Sequence, residues 1–355
     1  MTGSRDEPGT SYRAAGVDIE AGGRAVELMR SRVARASRPE VVGDIGGFAG
    51  LFRLDLSRYR APLLASSTDG VGTKIAIAIA LNSHATVGID LVAMVADDLV
   101  VVGAEPLFLQ DYVACGQVVP ERIAGIVGGI AEGCRIAGCA LVGGETAEHP
   151  GMMAPDHYDL AGTGVGIVEA DAVLGAERVR AGDVVVAMGS SGLHANGYSL
   201  VRHVLLTVAR LRLEASLDEL DGRTLGEELL TPTRIYSKDC LALVAETGVH
   251  AFAHVTGGGI AANLARVLPE HLDAVLDRGT WQPQPIFGLL AFRGHVEQAE
   301  LERTVNVGVG MLAVLPPEDV DRALAVLTAR HVPAWVAGEV VAGAGTARLV
   351  GTHPG

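Results

Sequence analysis

The sequence predicts a mixed α/β protein (α+β mixed) made of two packed domains. Its 355 residues are long for one domain and leave room for two. Apolar residues make up 49% and glycines number 46, a composition typical of strands and helices joined by tight turns. From Pro62 onward, segments with strand and helix patterns alternate, and the alternation resumes after about residue 180. We therefore predict a leading segment (1–61), an N-terminal α/β domain (62–170) and a C-terminal α/β domain (171–345).

The first half begins with a lead-in, 1–17, that we expect to be flexible. A helix is predicted from Asp18 to about Ala36 with Asp18 as its N-cap, and Gly43–Gly50 is too rich in glycine for the interior of an element. The helix over 120–138 is the clearest, because Pro120 occupies its first position and apolar residues recur at helical spacing. Further elements are a helix over 86–103 and strands at 63–67, 107–115, 139–142 and 160–168, the first of them buried.

The second half repeats the alternation after an interruption at 170–182. Strands are predicted at 182–188, 251–255 and 309–315, and helices over 196–209, 231–247, 259–268 and 317–331. No short repeat is present, which excludes a solenoid. The segment Gly308–Ala313 matches a loose dinucleotide-binding pattern, but Pro316 and Pro317 follow at once and prevent the helix that such a site needs.

Composition also excludes several classes of function. The formal charge is −14 and no concentrated Lys/Arg stripe occurs, so binding to nucleic acid is not expected. The polar N-terminus lacks a signal core, and no stretch of about 18 apolar residues predicts a membrane span. The four cysteines form no CxxC pair, which favours free thiols in a reducing compartment. We expect a cytoplasmic protein with no membrane partner.

An acid, two glycines and a lysine follow the first predicted strand. Asp69 lies where that strand ends, Gly70 and Gly72 allow the backbone to approach a ligand, and Lys74 supplies a positive charge. The spacing is not that of a P-loop. The segment is either part of a phosphate site or a turn with an exposed acid and base.

The predicted helix over 86–103 is nearly apolar yet carries Asp90, Asp97 and Asp98. Asp90 and Asp97 are about two turns apart and share a face. Carboxylates are costly to bury without compensation, so we expect them to meet water, a base or a metal ion. The alternative is a solvated stripe, and adjacent Asp97 and Asp98 point about 100° apart.

A further carboxylate, Glu145, follows the short predicted strand 139–142 and is preceded by Gly143 and Gly144. In parallel sheets, ligands gather at the carboxyl ends of strands. We therefore expect Asp69, one of the helical acids and Glu145 to converge on Mg²⁺, which prefers oxygen ligands and bridges phosphates.

Two glycine-containing loops of the second half are candidates for holding phosphate, because each precedes a predicted helix. They contain Ser191, Gly192, His194 and Asn196, and then Gly257, Gly258 and Gly259. Ordinary tight turns are the alternative for both. His254, just before the second loop, is a catalytic residue, a ligand-binding residue or a core histidine.

In this order the segments resemble the phosphoribosylformylglycinamidine cyclo-ligase family, over about residues 11–340. The matching stretches are 11–19, 38–41, 69–74, 88–94, 103–108, 141–148, 150–152, 196–202, 232–236 and 254–259. The combination is highly specific, whereas any single stretch is not.

The resemblance implies a homodimer in which strands of each N-terminal domain build an intersubunit β-barrel, with ATP and Mg²⁺ in a cleft. Residues matching the metal–triphosphate ligands of the wider superfamily, which includes selenophosphate synthetase and thiamine-monophosphate kinase, are Asp69, Asp98 and Glu145. Lys74 matches the phosphate-contacting lysine, and His254 stands where several relatives carry a metal-binding Asp. Contacts to ATP or its phosphates are expected from Gly70, Gly72, Thr73, Gly143, Gly144 and Thr146.

The chain departs from the family at three positions. Asp97 replaces a usual Asn, Ala76 replaces a basic residue, and Val305 replaces a Phe. These departures affect details of nucleotide contact.

The implied activity is ATP-dependent cyclisation of formylglycinamidine ribonucleotide, a phosphoribosyl amidine, to aminoimidazole ribonucleotide in purine biosynthesis, with Lys74 and His254 as catalytic residues. The alternatives are another ATP-dependent enzyme of the superfamily, either a small-molecule kinase or formylglycinamidine ribonucleotide synthetase, and a non-catalytic nucleotide sensor.

Overall fold

A computed structural model describes residues 11–43 and 46–354. The first ten residues of the predicted lead-in, and Asp44 and Ile45 of the glycine-rich stretch, lie outside the described residues. Helix α1 (Ile19–Ala34) begins after Asp18, whose carboxylate accepts from the N–H groups of Glu20 and Ala21. The predicted N-cap is therefore in place.

The first half contains a two-stranded ribbon and a four-stranded sheet. The ribbon pairs β1 (Val41–Val42) with β2 (Leu51–Phe52). The sheet has the order β3-β6-β4-β5, with β3 (Pro62–Gly70), β4 (Glu105–Cys115), β5 (Ala140–Glu148) and β6 (Tyr158–Glu169). Its helices are α2 (Ile75–Ala80), α3 (Ala85–Val101) and α4 (Pro120–Ala137).

Helices α3 and α4 cross at very short range. A side chain at Gly88 would collide with the backbone of Ile126 and Ile130, and one at Gly129 with the backbone of Ala85. Glycine therefore permits this contact, which buries nearly the whole circumference of α3. The helix also packs against β3 and β6, and on its other side against the second half of the chain.

The second half forms a six-stranded sheet in the order β12-β9-β11-β7-β10-β8. Its strands are β7 (Val184–Gly189), β8 (Ala251–His254), β9 (Leu272–Asp277), β10 (Val309–Leu315), β11 (Ala334–Ala342) and β12 (Ala347–Val350). The helices are α5 (Tyr198–Arg202), α6 (Leu225–Leu229), α7 (Ser237–Glu246), α8 (Gly259–Ala265), α9 (Pro285–Gly294), α10 (Gln298–Thr304) and α11 (Val320–Ala329). A π-helical turn, His203–Val208, continues α5, and two 3₁₀ turns, Ala170–Ala172 and Ala176–Arg178, connect the two sheets.

The predicted mixed α/β class is confirmed, but the strands are mostly antiparallel. Only β4 with β5 and β9 with β12 pair in parallel among the described residues. The expectation that ligands gather at a common carboxyl edge of parallel strands therefore does not apply to the first sheet.

Three predicted elements differ from the structure. The strand predicted to be buried at 63–67 has Leu63 and Leu64 48% and 63% accessible, and it lies at the edge of its sheet. The strand predicted at 139–142 runs on to Glu148. The helix predicted from Thr231 begins only at Ser237, and the N–H groups of Thr233 and Tyr236 before it donate to aspartates of α3.

Among the described residues, no helix is long and apolar enough to cross a bilayer. The four cysteines are buried and free, as expected.

Candidate active site

Helix α3 carries three aspartates toward the second half of the chain, and each has a different environment. Asp90 and Asp97 are completely buried, whereas the side chain of Asp98 is 44% exposed. The sequence predicts that these acids meet water, a base or a metal ion, and the outcome differs from one acid to the next.

Asp90 meets a base. Its Oδ1 accepts from Lys74 Nζ at 2.9 Å and from the N–H and hydroxyl of Thr233 at 2.7 and 2.6 Å. The Lys74 ammonium is also fully buried and donates to the carbonyls of His194 (2.9 Å) and Thr231 (2.7 Å). Burial lowers the pKa of Lys74, against the opposing effect of Asp90.

The prediction that Lys74 contacts a phosphate as a catalytic residue gains no support from this placement and stays a prediction. An ammonium group has three donors, and protein oxygens occupy all three here. Lys74 instead fastens α2 and α3 to the loops at 190–197 and 231–236, in the interior between the two halves.

Asp97 is a structural acceptor. Its carboxylate receives the N–H of Tyr236 at 3.0 Å and the hydroxyl of Ser237 at 2.7 Å. Burial raises the pKa of Asp97 to about 6, against the opposing charge of His254. An asparagine oxygen would accept the same bonds, which explains how the usual family Asn and this Asp can serve the same position.

Asp98 and Asp69 are the acids of the site that reach solvent, and the buried ring of His254 contacts Asp98. His254 Nδ1 lies 2.9 Å from Asp98 Oδ1, while His254 Nε2 is buried without a hydrogen-bond partner in the described residues. Burial opposes protonation of His254, but the bond to Asp98 and the charges of Asp97 and Asp98 outweigh it and raise the pKa. The ring is therefore biased toward the cationic form.

Asp69 ends β3, as predicted, and its Oδ1 accepts the N–H of Gly70 at 2.7 Å. Partial desolvation and the charge of Asp98 raise the pKa of Asp69, and His254 opposes this. The two carboxylates thus lie close enough for their charges to interact. The exposed turn that follows, Gly72 and Thr73, touches the second half through Thr73 Oγ1 and Ser199 Oγ, 3.3 Å apart.

The two glycine-containing loops of the second half lie at the same end of its sheet. Strands β7 and β8 both run antiparallel to β10, which lies between them, so both strands finish at that end. In the first loop, Ser191 Oγ donates to the carbonyl of Pro232, and His194 Nε2 accepts the N–H of Ser191 at 3.2 Å. Burial, then the charge of His254, lowers the pKa of His194 well below its usual value, so that ring is neutral.

In these two loops some backbone carbonyls are held by side-chain amides, and one buried side-chain oxygen has no partner among the described residues. The carbonyl of Gly192 accepts from Asn306, whereas Asn196 Oδ1 is buried without a partner in the described residues. In the second loop, Asn263 Nδ2 holds the carbonyls of Gly257 (3.2 Å) and Gly259 (2.8 Å), and Gly257 and Gly258 are exposed. The second loop is therefore preformed and open on one side, whereas most of the first loop is buried.

Glu145 does not join Asp69 and Asp98 within this chain. The sheet register aligns Glu145 with Tyr112, Tyr112 with Ala161, and Ala161 with Gly70. Three strand spacings separate Glu145 from the strand of Asp69, which is about 14 Å. In residues 11–43 and 46–354 no three His, Cys, Asp or Glu side chains are grouped as a metal site.

Glu145 instead lines a cavity of about 480 Å³ between α1, the glycine-rich loop and strands β4 and β5. Gly143, Gly144 and Thr146 line it as well, so four predicted site residues share this cavity. Asp111, which the sequence reasoning missed, also faces it, and burial raises its pKa to about 7. Strand alternation contained the signal, because Asp111 shares the buried face of β4 with Leu109 and Val113.

Replacing Asp111 by asparagine is expected to stabilise the protein by roughly 1–3 kcal/mol at pH 8 and to have little effect at pH 4. The raised pKa means that the folded protein retains a proton that the unfolded chain releases, so stability falls as pH rises from about 4 through about 7. Urea unfolding of both proteins at pH 4, 6 and 8 measures this. Equal stability differences at all three pH values would show that Asp111 does not titrate in this way.

Comparisons with known proteins agree with this architecture. Residues 53–168 match the family profile of the N-terminal domain of AIR synthase related proteins, and residues 180–350 match that of the C-terminal domain. A phosphoribosylformylglycinamidine cyclo-ligase of Anaeromyxobacter sp. (strain Fw109-5) is 52% identical over 337 residues, covering 95% of this chain and 97% of the relative. The cyclo-ligase of Geobacillus thermodenitrificans (strain NG80-2) is 50% identical, covering 94% and 96%.

Solved structures share the fold at low identity. A thiamine-monophosphate kinase of Stenotrophomonas maltophilia K279a superposes with a TM-score of 0.66 at 19% identity, covering 93% of this chain and 97% of that one. The hydrogenase maturation protein HypE in complex with ATP gives 0.62 at 20% identity, covering 94% and 92%. These likenesses establish the fold, and the cyclo-ligase relatives establish the family.

Proposed function

This chain belongs to the phosphoribosylformylglycinamidine cyclo-ligase family, and we infer from that membership that it closes the imidazole ring of aminoimidazole ribonucleotide. It is an ATP-dependent ligase that converts formylglycinamidine ribonucleotide and ATP to this product, ADP and phosphate. Identity of about one half over nearly the whole chain is the observation that carries this conclusion. We place the activity in the cytoplasm, as the sequence predicts.

The chemistry requires activation of a poor electrophile. The formamide oxygen of the substrate attacks the γ-phosphorus of ATP, and the bond to ADP breaks. The amidine nitrogen then attacks the formyl carbon, the phosphorylated oxygen leaves as inorganic phosphate, and a nitrogen proton passes to solvent or a base. Because both reacting ends belong to one substrate, orientation contributes much of the rate.

Asp69 and Asp98 are the residues that we assign to Mg²⁺. Mg²⁺ in nucleotide sites is commonly held by one or two carboxylates together with substrate phosphates, rather than by an all-protein cage. The pair fits this pattern, since desolvation and then the charge of Asp98 raise the pKa of Asp69, and a divalent cation would offset that charge. When bound, the ion would neutralise charge on the transferring phosphoryl group.

His254 is the catalytic residue that we propose for the second half. Asp98 occupies its Nδ1 and leaves Nε2 buried and without a partner among the described residues. A protonated Nε2 beside the phosphates would donate to a phosphoryl oxygen. Lys74, which the sequence also predicts for such a role, donates to protein oxygens in this structure.

We propose that the nucleotide occupies the 480 Å³ cavity, with Gly143, Gly144, Glu145 and Thr146 along its wall. The triphosphate would extend toward Asp69 and the exposed turn of Gly70, Gly72 and Thr73. The loops at 190–197 and 256–259 would hold the substrate, including its ribose phosphate, because they follow the carboxyl ends of strands β7 and β8, which flank β10, at the same end of the second sheet.

A homodimer is the assembly that we propose. Strand β3 is a sheet edge with nine residues, and Leu63 and Leu64 on it are largely exposed, as are Phe48 and Leu51 of the preceding loop and ribbon. An exposed apolar edge strand tends to pair with another chain. Pairing of such edges would build the intersubunit barrel that the resemblance implies.

An ADP-release assay tests the function. With formylglycinamidine ribonucleotide, ATP and Mg²⁺, the purified protein is expected to release one ADP per aminoimidazole ribonucleotide formed. A small-molecule kinase would not respond to this substrate, and a nucleotide sensor would release no ADP. Either result would contradict the proposal.

A further inference from the structure

The cavity proposed for the nucleotide has an apolar side that holds one buried acid. Its volume is about 480 Å³, and the apolar lining from α1, α4 and β5 includes Met29, Val33, Val127 and Leu141. Asp111 of β4 lines the same cavity and is only 8% exposed. Ligand cavities are typically apolar with a few polar groups that orient the ligand. A buried acid in this one is a candidate for that role.

The side chain of Asp111 points to the helix side of the sheet. Its neighbours Gln110 and Tyr112 are exposed on the other face of β4, because side chains alternate along a strand. The charge of Asp111 acts on the thiol of Cys134 in α4, which places the carboxyl group on the helix side. A side chain at Gly144, which also lines the cavity, would collide with Asp111 Oδ1. This oxygen therefore lies on the cavity wall, over the backbone of Gly144.

The Asp111 carboxyl group is not satisfied by the rest of the chain. In residues 11–43 and 46–354 no other residue donates a hydrogen bond to it, and only its own N–H opposes the effect of burial on its pKa. The buried acids Asp90 and Asp97, by contrast, each accept from two or more donors. An acid that is buried without partners is costly, which indicates that a ligand supplies the missing hydrogen bonds.

We propose that Asp111 recognises the adenine ring of ATP by accepting a hydrogen bond from its C6 amino group. This inference rests on the proposed function, which places a nucleotide in the cavity. Burial raises the pKa of Asp111 to about 7, so the neutral carboxyl group is well populated at neutral pH. In that form one oxygen accepts from the amino group while the other donates to the neighbouring ring nitrogen. The apolar side chains of α1 and α4 would cover the ring.

This pairing distinguishes sharply between two substitutions of Asp111. Asparagine has the same shape and offers one acceptor and one donor, the combination with which asparagine side chains pair with adenine in nucleic acids. It should therefore keep the preference for the amino group. Leucine is similar in size but offers neither group, so it should abolish that preference.

Equilibrium binding of two nucleotides to the full-length protein tests the proposal. ATP and purine riboside 5′-triphosphate differ only in the C6 amino group, and each is titrated by calorimetry with Mg²⁺ and without the amidine substrate. The unmodified protein and Asp111→Asn should bind ATP about fivefold more tightly, as expected for one hydrogen bond. In Asp111→Leu the ratio of the two affinities should fall to about one. Because the ratio is taken within each variant, a general loss of affinity cancels.

Asp159→Asn, which alters an exposed carboxylate on β6, is the control and should keep the ratio of the unmodified protein. If Asp111→Leu does not fold, Asp111→Ala takes its place in the same comparison. A fivefold preference that survives in Asp111→Leu, or no preference in the unmodified protein, would overturn this inference alone. Binding of neither nucleotide would overturn it together with the proposed nucleotide site, and ADP release by the same preparation reports separately on ring closure.

Discussion

Replacing Lys74 by methionine is expected to destabilise the protein by about 3–5 kcal/mol, the usual cost of leaving one member of a buried ion pair without its partner. Asp90 would remain at 0% exposure with only Thr233 to compensate its charge. The carbonyls of His194 and Thr231 would also lose their donor. Urea unfolding followed by circular dichroism measures the loss.

The double variant Lys74→Met with Asp90→Asn is the control, because it removes the uncompensated charge as well as the ammonium. It is expected to recover a substantial part of the lost stability. If Lys74→Met instead keeps normal stability and loses only turnover, the ammonium acts on a ligand and the structural assignment is wrong.

Replacing Asp69 by asparagine is expected to lower kcat by about 10²- to 10³-fold, the range seen when one preorganised electrostatic group is removed. The loss follows if Asp69 holds the cation that neutralises the transferring phosphoryl group. Stability should barely change, because the Asp69 side chain is exposed and its one protein hydrogen bond in the described residues goes to the neighbouring N–H of Gly70. ADP release and thermal unfolding are measured on the same preparation.

Asp321→Asn, an exposed carboxylate on α11 in the second half, is the matched control for loss of one negative charge. It should leave both turnover and stability unchanged. Normal turnover by Asp69→Asn would remove Asp69 from the phosphoryl-transfer step.

Local patterns in the sequence predicted much of the fold correctly. Pro120 at the first turn of α4, Gly138 at its end with φ of +88°, and the Asp18 N-cap all lie where the pattern placed them. These features depend on interactions within a few residues, so the spacing of residues in the sequence is enough to predict them. The same holds for Asp69 at the end of β3.

The sequence did not predict contacts between residues that are distant along the chain. The carboxylates of Asp90 and Asp97 accept from the N–H groups of Thr233 and Tyr236, which are 143 and 139 residues away, and both donors lie before the helix that was predicted to begin at Thr231. Strand direction is equally non-local, so the parallel-sheet argument gives no support to a site shared by Glu145 and Asp69.

By itself the sequence determined the α/β class, the family and the set of candidate acids. Only the tertiary structure decided the role of each charge: Lys74 and Asp90 neutralise each other in the interior, while Asp98 pairs with His254 at the edge of solvent. The physical reason is that the state of an ionisable group depends on its burial and on the charges packed against it. Those neighbours come from the other half of the chain, and no local spacing encodes them.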